Sequence, residues 1–557
     1  MPFDPGTSPR FTPSRAGFAP LVGIRLGLLG IVLVLLATAP AGLSGQSPLN
    51  AAALTDPVVP KGYLRLDFVP RYSTWDTRYT PTGDVEPLGA DLTSDNAASL
   101  FPGISTLEQN LRALTGSTTG FPSVLGPVAG RVSKQMTRME FGARVGIFGW
   151  LTLGAMVPVT RVRVPVDIAF RPDTLNGNVG LSPAITGSGA VSELETQLAN
   201  AADAARARAT NLCDADPSST QCADAMALSA RAAAFTSATA GAYTASAFFP
   251  LDSSAAATAL TAALDALNQD LVAAGLTAVS ATFTFPTARV DESTFAQLSA
   301  TPGTGIRSTA LEPLDGLWRM GDVELSAIVR LLDGEVRDSG AISPRLAWEL
   351  AGGVLVRLGT GQPADPEILF DVGSGDGQTD VEGRLFAALQ VGHHVAVRSE
   401  AHYGVQKSTT QVRRVVAPTV VLAPYSSRHT VRWSPGSYFS IQVSPRLYLT
   451  EQLALSFDYD YFNKGADTYA LADPPSLSSA SPPDVSVLGQ GSSTTVHQAG
   501  VGLTYATLRT WREGHTGTPV EMNARLIRVI GGTSGWMPKA TRFEIGVRVF
   551  HRMWGGS

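Results

Sequence analysis

Few residues of this 557-residue chain are spaced for covalent chemistry, and only seven histidines are available for it. One of them, His402, shares a row of alternate positions with Arg398 and Glu400. An imidazole beside carboxylates can take up a proton near neutral pH. The row therefore suits either a pH-sensitive gate or a plain hydrogen-bonded polar interior. His393 and His394 stand at a turn signal and read as turn residues. No G-x-S-x-G occurs in a strand-to-helix context and no H-E-x-x-H occurs, so neither a nucleophile elbow nor a zincin site is indicated. The stretch "VGSGDGQTD", 372–380, is glycine-rich like a phosphate loop. It lacks the lysine of a P-loop and precedes a strand pattern rather than a helix. Its Asp376 and Asp380, with Asp365 and Asp371, are oxygen ligands of the kind calcium takes, and a Gly/Asp-rich surface loop uses the same residues. Cys213 and Cys222 flank a turn-rich stretch and read as a local disulfide; no third cysteine or histidine is near enough for zinc.

The larger chemical signal is charge set on every second residue of apolar runs. In "MTRMEFGARVGIFGWLTLGAMVPV", 136–159, Arg138, Glu140 and Arg144 alternate with Met139, Phe141, Ala143 and Val145. Arg65 and Asp67 alternate with Leu64, Leu66 and Phe68. The same polar parity holds Glu324, Arg345, Glu349, Arg357, Glu382, Arg384, Arg398, Glu400, His402, Asp458, Asp460, Arg525, Glu544 and Arg548. Both signs occur in similar numbers. Such a set either pairs within an enclosed space, as buried charges must, or lines a polar path for a solute.

Period two means extended strands with two unlike faces. The strand signals are longer than the ~5–6 residues usual in soluble sheets and reach the ~9–11 that a tilted bilayer-spanning strand needs. About twelve are present, an even number, with weaker ones at 427–443, 494–507, 519–531 and 540–552. Joins after even strands are short: 149–150, 333–343, 392–394, 444–451 and 508–518. Joins after odd strands are mostly long: 73–134, 165–320, 360–378, 408–426 and 463–493, with 532–539 the short one. A soluble sandwich has no reason to sort loops by parity; an outer-membrane barrel does, with short turns in the periplasm and long loops outside.

Residues 165–320 interrupt the barrel with an alanine-rich helical insertion. Ser192 and Glu195 form a capping box before the first helix. A second follows the cysteine turn, and a third spans 254–274 with a stripe of Leu260, Leu264, Leu267 and Leu271 ended by Gly275. The pattern fits a cap outside the mouth and a plug within it equally. At the N-terminus, arginines precede the apolar run Leu26–Ala37, followed by small residues at Ala39 and Ala41. Residues 1–45 therefore read as a signal peptide cleaved between Ala41 and Gln46, and 46–557 as the barrel. No later stretch is apolar for the ~18 residues of a helical span. The net charge of −5, without a basic run, leaves no footprint for nucleic acid.

Three segments carry a family resemblance. "GIFGWLTLGAMVPVTRV", "MGDVELSAIVRLLDG" and "LAWELAGGVLVRLGTGQPADPEILFDVGSGDGQTDVEGRLFAALQ" are similar to the outer-membrane family linked to phenol meta-pathway degradation, distantly akin to long-chain fatty-acid transporters. The resemblance implies passage of hydrophobic or aromatic compounds across the outer membrane. The chain departs from that family in its long insert and in a C-terminus, "VRVFHRMWGGS", that runs past Phe550 and Trp554.

The expected protein is an all-β transmembrane antiparallel barrel of about twelve strands with an α-helical insertion, in the bacterial outer membrane. It passes small hydrophobic or aromatic solutes by passive diffusion. Its partners are the lipid bilayer, the outer-membrane assembly machinery and the solute; no cofactor and no enzyme activity are expected. The alternatives are an outer-membrane lipid-modifying enzyme and a surface adhesion or structural barrel. Single cysteines scanned through 136–147 test the parity: odd positions are expected to react with a lipid-phase reagent and even positions not, and the opposite pattern overturns the strand faces.

Overall fold

The computed structural model describes residues 57–554, apart from 102, 172–176, 186, 301–313, 337–344, 473–481 and 508–518. The expected signal peptide and its cleavage site lie outside the described residues. Twelve long antiparallel strands close into a barrel. They are β1 (Tyr63–Trp75), β2 (Lys134–Phe148), β3 (Leu151–Val164), β4 (Glu324–Val336), β5 (Leu346–Arg357) and β6 (Asp380–Val391). The second half comprises β7 (Val395–Gln406), β8 (Tyr438–Tyr448), β9 (Leu453–Lys464), β10 (Thr494–Ala506), β11 (Val520–Thr533) and β12 (Thr541–Arg552). β12 pairs with β1, from Tyr63↔Arg552 to Thr74↔Thr541, so no edge remains at the ends of the chain. Closure is what hydrocarbon demands, because an unpaired backbone amide there has no water to bond.

The alternation read from sequence becomes two faces. Leu66, Phe68, Phe141, Leu153, Leu385, Phe457, Val501, Leu526 and Phe543 are exposed on the outer wall. Arg65, Glu140, Glu382, Asp458, Arg525 and Glu544 are buried. An exposed apolar belt of this extent belongs against lipid. At the β2–β3 turn Phe148 and Trp150 stack with ring centroids 5.3 Å apart, an aromatic pair suited to the membrane interface. Two expected boundaries move. The eighth strand is Tyr438–Tyr448 rather than 427–443, because Pro435 and Gly436 break the run. Arg428–Ser434 instead pairs with Thr409–Arg414 and Thr468–Leu471 in a separate three-stranded sheet.

One seam is thin. β3 pairs with β4 over six residue pairs, Leu151↔Val329 to Met156↔Glu324. Every other seam has nine or more. Beyond Met156, β3 is covered by the short strands Leu314–Asp315 and Arg319–Met320 instead.

The segment before β1 turns into the interior at the short-turn end. Val59 N–H donates to Thr152 Oγ1 at 2.8 Å, and Val58 packs with Ile328, Ala351 and Phe386. Gly146 is required there, since a Cβ would fall 2.1 Å from the Pro60 carbonyl oxygen.

The loops at the opposite end form a helical layer: α1 (Gly103–Thr115), α2 (Gly189–Ala215), α3 (Thr220–Ala245), α4 (Ala255–Ala273) and α5 (Glu292–Ala300). The α4 stripe of Leu260, Leu264, Leu267 and Leu271 is fully inside, packed with Leu107 and Leu111 of α1 and Leu194 and Leu198 of α2. Gly275, at φ +71°, ends α4. The Cys213–Cys222 disulfide joins the end of α2 to the start of α3. The expected capping box is not used. α2 starts a turn earlier at Gly189, because Val191 and Leu194 are buried against the bundle, and Ser192 falls inside the helix.

Candidate functional site

Strand geometry puts every second side chain into a confined interior, where a charge can persist only if another charge or a hydrogen bond meets it. The sequence-selected residues on the polar parity sort into three ion-pair groups there. Toward the short-turn end, the Asp67 carboxylate meets Arg65 at 3.0 Å, Arg548 at 3.2 Å and Arg144 at 3.7 Å. Arg548 also bonds Glu521 at 2.7 Å. Further along, Arg71 bridges Glu140 at 2.8 Å and Glu544 at 3.0 Å. Arg138 joins Glu140 at 2.9 Å, and Arg525 pairs with Glu544 and approaches Asp458. Asp458 also accepts from Ser444 Oγ at 2.7 Å.

The third group spans five strands. Arg357 bonds Glu324 at 3.2 Å and Asp380 at 2.8 Å. Glu382 receives Arg384 and the Tyr438 hydroxyl, both at 2.5 Å. His402 lies between two carboxylates, Nδ1 3.0 Å from Glu382 and Nε2 2.7 Å from Glu400. An imidazole serves two carboxylates at once only when both nitrogens carry hydrogen. His402 is thus held from both sides by carboxyl groups in a hydrogen-bonded interior. Tyr438 reaches Glu382 across Gly404, where a Cβ would sit 2.0 Å from the tyrosine ring.

Glu349 pairs with Arg330 at 3.3 Å, and Arg398 stands on the inner parity of β7. Asp460 is buried beside Asp458 on β9, and its Oδ1 has no hydrogen-bond partner among the described residues. Arg345 is corrected. It precedes β5 in the turn, is exposed, and donates no charge to the interior, because the strand starts one residue later at Leu346. Arg446, Glu521 and Arg542 were not among the candidates, yet they are buried on the inner parity, as are Arg71 and Asp380. The alternation that selected their neighbours could have found them.

The interior is packed rather than open. A small cavity lined by Arg65, Asp67, Arg144, Glu324, Arg384 and Arg548 has room for water and not for an organic solute. Arg446 Nε and Nη2 are buried without protein partners among the described residues, which also calls for water.

Over the long-loop mouth the chemistry reverses. Val162 and Val164 of β3 join Phe101, Phe170, Phe248, Phe295 and Phe370 in one apolar cluster with Val421 and Leu422. Phe170 and Phe295 stack at 4.5 Å, and Phe101 meets Phe248 edge-on at 4.8 Å. The β5–β6 loop that supplies Phe370 is tied down by acids. Asp322, Asp376 and Asp380 are all buried, and Gln406 Nε2 donates to Asp380 at 2.9 Å and to Asp376 at 3.3 Å. Burial, then the neighbouring Asp380 and Asp322 carboxylates, push the Asp376 carboxyl up to about 7. Among the described residues no group of three or more His, Cys, Asp or Glu side chains is arranged to hold a metal. Asp365 and Asp371 serve the loop backbone instead, Asp371 Oδ2 accepting from Asp365 N–H at 2.9 Å.

No protein-family model matches the chain, and no curated protein matches it. Among solved structures, the COG4313 outer membrane channel from Pseudomonas putida F1 aligns at TM-score 0.39 and 8% identity, over 89% of this chain and 100% of that one. A Pseudomonas aeruginosa FadL homologue aligns at 0.25 and 8%, over 93% and 96%. The translocator domain of the autotransporter NalP from Neisseria meningitidis aligns at 0.26 and 9%, over 89% of each. At these scores the likeness is loose, and the barrel rests on its own closed register. An even-stranded, closed antiparallel barrel with an apolar outer belt is a bacterial outer-membrane protein.

Two outcomes follow. Replacing Arg357 by Met strands Glu324 and Asp380, and is expected to cost on the order of 3–5 kcal/mol in urea unfolding of the detergent-solubilised barrel. Replacing all three by Met, Leu and Leu is expected to recover most of that loss. The Asp376 proton is held more tightly in the closed loop than in an open one, so closure is strongest below the ordinary aspartate range, near pH 4. It weakens as pH rises to about 7 and is level above that. Hydrogen exchange of amides 372–379, corrected for intrinsic rate, is expected to rise across that window and to lose the dependence in Asp376→Asn.

Proposed function

We propose that this chain is an outer-membrane channel for small hydrophobic solutes, aromatic compounds among them, which cross it down their own gradient. The observation that supports the reading is the apolar aromatic mouth set over an interior filled with paired charges. A hydrophobic solute gains nothing from an interior filled with paired charges, since it would have to displace charges that have no other partners. The aromatic cluster offers it a dry surface. Where β3 changes partner from β4 to the short strands, the exposed Leu317, Trp318 and Met320 set apolar side chains beside the hydrocarbon, and there a solute leaves the mouth without crossing the charges. The insert of residues 165–320 acts as a lid: its helices bury their apolar faces against α1 and its aromatic residues against the mouth. Residues 1–45 direct export. The interior charges, on this reading, hold the barrel wall in shape rather than conduct.

A Gram-negative host lacking its own hydrocarbon transporters, expressing this chain, is expected to take up a labelled monoaromatic compound faster than the empty host and a sugar no faster. Phe170→Asp with Phe295→Asp is expected to abolish the gain while the barrel still assembles. Planar-bilayer conductance of the intact chain is expected to stay near baseline. Porin-sized current would overturn the packed-interior reading, and unchanged aromatic uptake would overturn the hydrophobic solute.

A further inference from the structure

The ion-pair lattice is uneven at one point. Arg65 of β1 and Arg144 of β2 stand directly opposite each other on the inner face, and like charges so placed repel. The carboxylate beside them, Asp67, is shared among three guanidiniums. It meets Arg65 at 3.0 Å and Arg548 at 3.2 Å, but Arg144 only at 3.7 Å. Arg548 has a second carboxylate in Glu521, at 2.7 Å. Arg144 has no second one among the described residues. The surplus of positive charge therefore falls on Arg144.

Gly154 of β3 makes room for that side chain. It is in register with Arg144 on one side and with Ser326 of β4 on the other. A Cβ on it would lie 2.9 Å from Arg144 Cγ and 2.8 Å from Ser326 Oγ, so the arginine stem and the serine hydroxyl pack over the same glycine. Both line the small interior cavity, about 30 Å³, together with Arg65, Asp67, Arg384 and Arg548. Glu140 and Glu324 also border it, and cations outside the cavity engage them: Arg71 at 2.8 Å and Arg138 at 2.9 Å for Glu140, Arg357 at 3.2 Å for Glu324. Two guanidinium nitrogens, Arg144 Nη1 and Arg384 Nη2, are buried with no hydrogen-bond partner among the described residues. The Arg384 side chain is only 4% exposed, and its Nε and Nη1 turn to Glu382 and Glu400.

We propose that this cavity is a binding site for a single halide ion, chloride in the natural setting, held by Arg144 and Arg384 with the Ser326 hydroxyl. An under-paired guanidinium in a confined interior is costly until an anion meets it. Water would satisfy the two N–H groups but not the charge. A carboxylate or phosphate needs more room than the one or two waters that such a space holds, whereas a monatomic anion fits it. The ion ties β2, β4 and β6 together, three strands that no backbone ladder joins to one another directly. It is a structural ion of the wall, separate from the route of the solute.

Crystals of the full chain grown in sodium bromide are expected to show a bromide anomalous peak between Arg144 and Arg384. No peak there, or peaks at surface positions only, overturns the site. In urea, the detergent-solubilised barrel is expected to unfold at least threefold more slowly in about 0.1 M sodium chloride or bromide than in sodium gluconate of the same ionic strength. An ion that binds only the folded state stabilises it, and gluconate is too large to enter. Arg144→Met removes both the surplus charge and its donor, and is expected to unfold at one rate in all three salts. Arg432→Gln, on the outer hairpin away from the wall, is expected to keep the halide dependence. Equal rates for the unsubstituted chain in all three salts, or a halide dependence that persists in Arg144→Met, overturns the site. The bromide peak is read on the unsubstituted chain, so it decides even where the variant does not fold.

Discussion

A charge inside this barrel has neither bulk water nor hydrocarbon to turn to, and the rest of the structure follows from that constraint. Asp67, Glu140 and Glu544 are each met by two or more arginines and Glu382 by Arg384 and His402, at least one partner in every case coming from a neighbouring strand. Because partners sit on different strands, the ion pairs act across the hydrogen-bond ladders and fix which strand faces which. Removing one partner strands the others, which is why such lattices resist single substitutions poorly and coordinated ones better.

The same lattice decides what the molecule can carry. Interior side chains that meet one another leave, at the cavity beside Asp67 and Arg384, a space suited to water. The apolar surface lies elsewhere, over the mouth, where loop residues from four regions meet the ends of β3 in one aromatic cluster. Mouth and interior are thus chemically opposed within one barrel. The wall beside the mouth is also where β3 changes partner, from β4 to the short strands Arg319–Met320 and Leu314–Asp315. A functional account that places the solute's route along the wall fits both facts.

The layer of helices depends on a separate economy. It has its own apolar core, with the α4 leucines against α1 and α2, and its own disulfide. Its aromatic residues meet the barrel in the mouth cluster, and the β5–β6 loop that supplies Phe370 to that cluster is tied to the barrel by Asp376 through Gln406, whose amide also holds Asp380 of the third ion-pair group.

Much of this was legible in the residues themselves. Alternation determined the strands, their inner and outer faces and which side bears long loops, because a period of two admits only two faces and a spanning strand has a minimum length. It placed Arg65, Glu140, Arg357 and His402 on the inner face and erred at Arg345, where the pattern ran one residue past the strand's start. Leucine spacing determined α4. Sequence could not determine what met what. The convergence of Asp376 and Asp380 on the Gln406 amide, the aromatic cluster over the mouth, Val58 turned into the interior, and the short β3–β4 seam all join residues far apart in the chain. Pattern is local, set by the geometry of one strand or helix; partners across a closed barrel are set by register and shear, which exist only once the ring has closed.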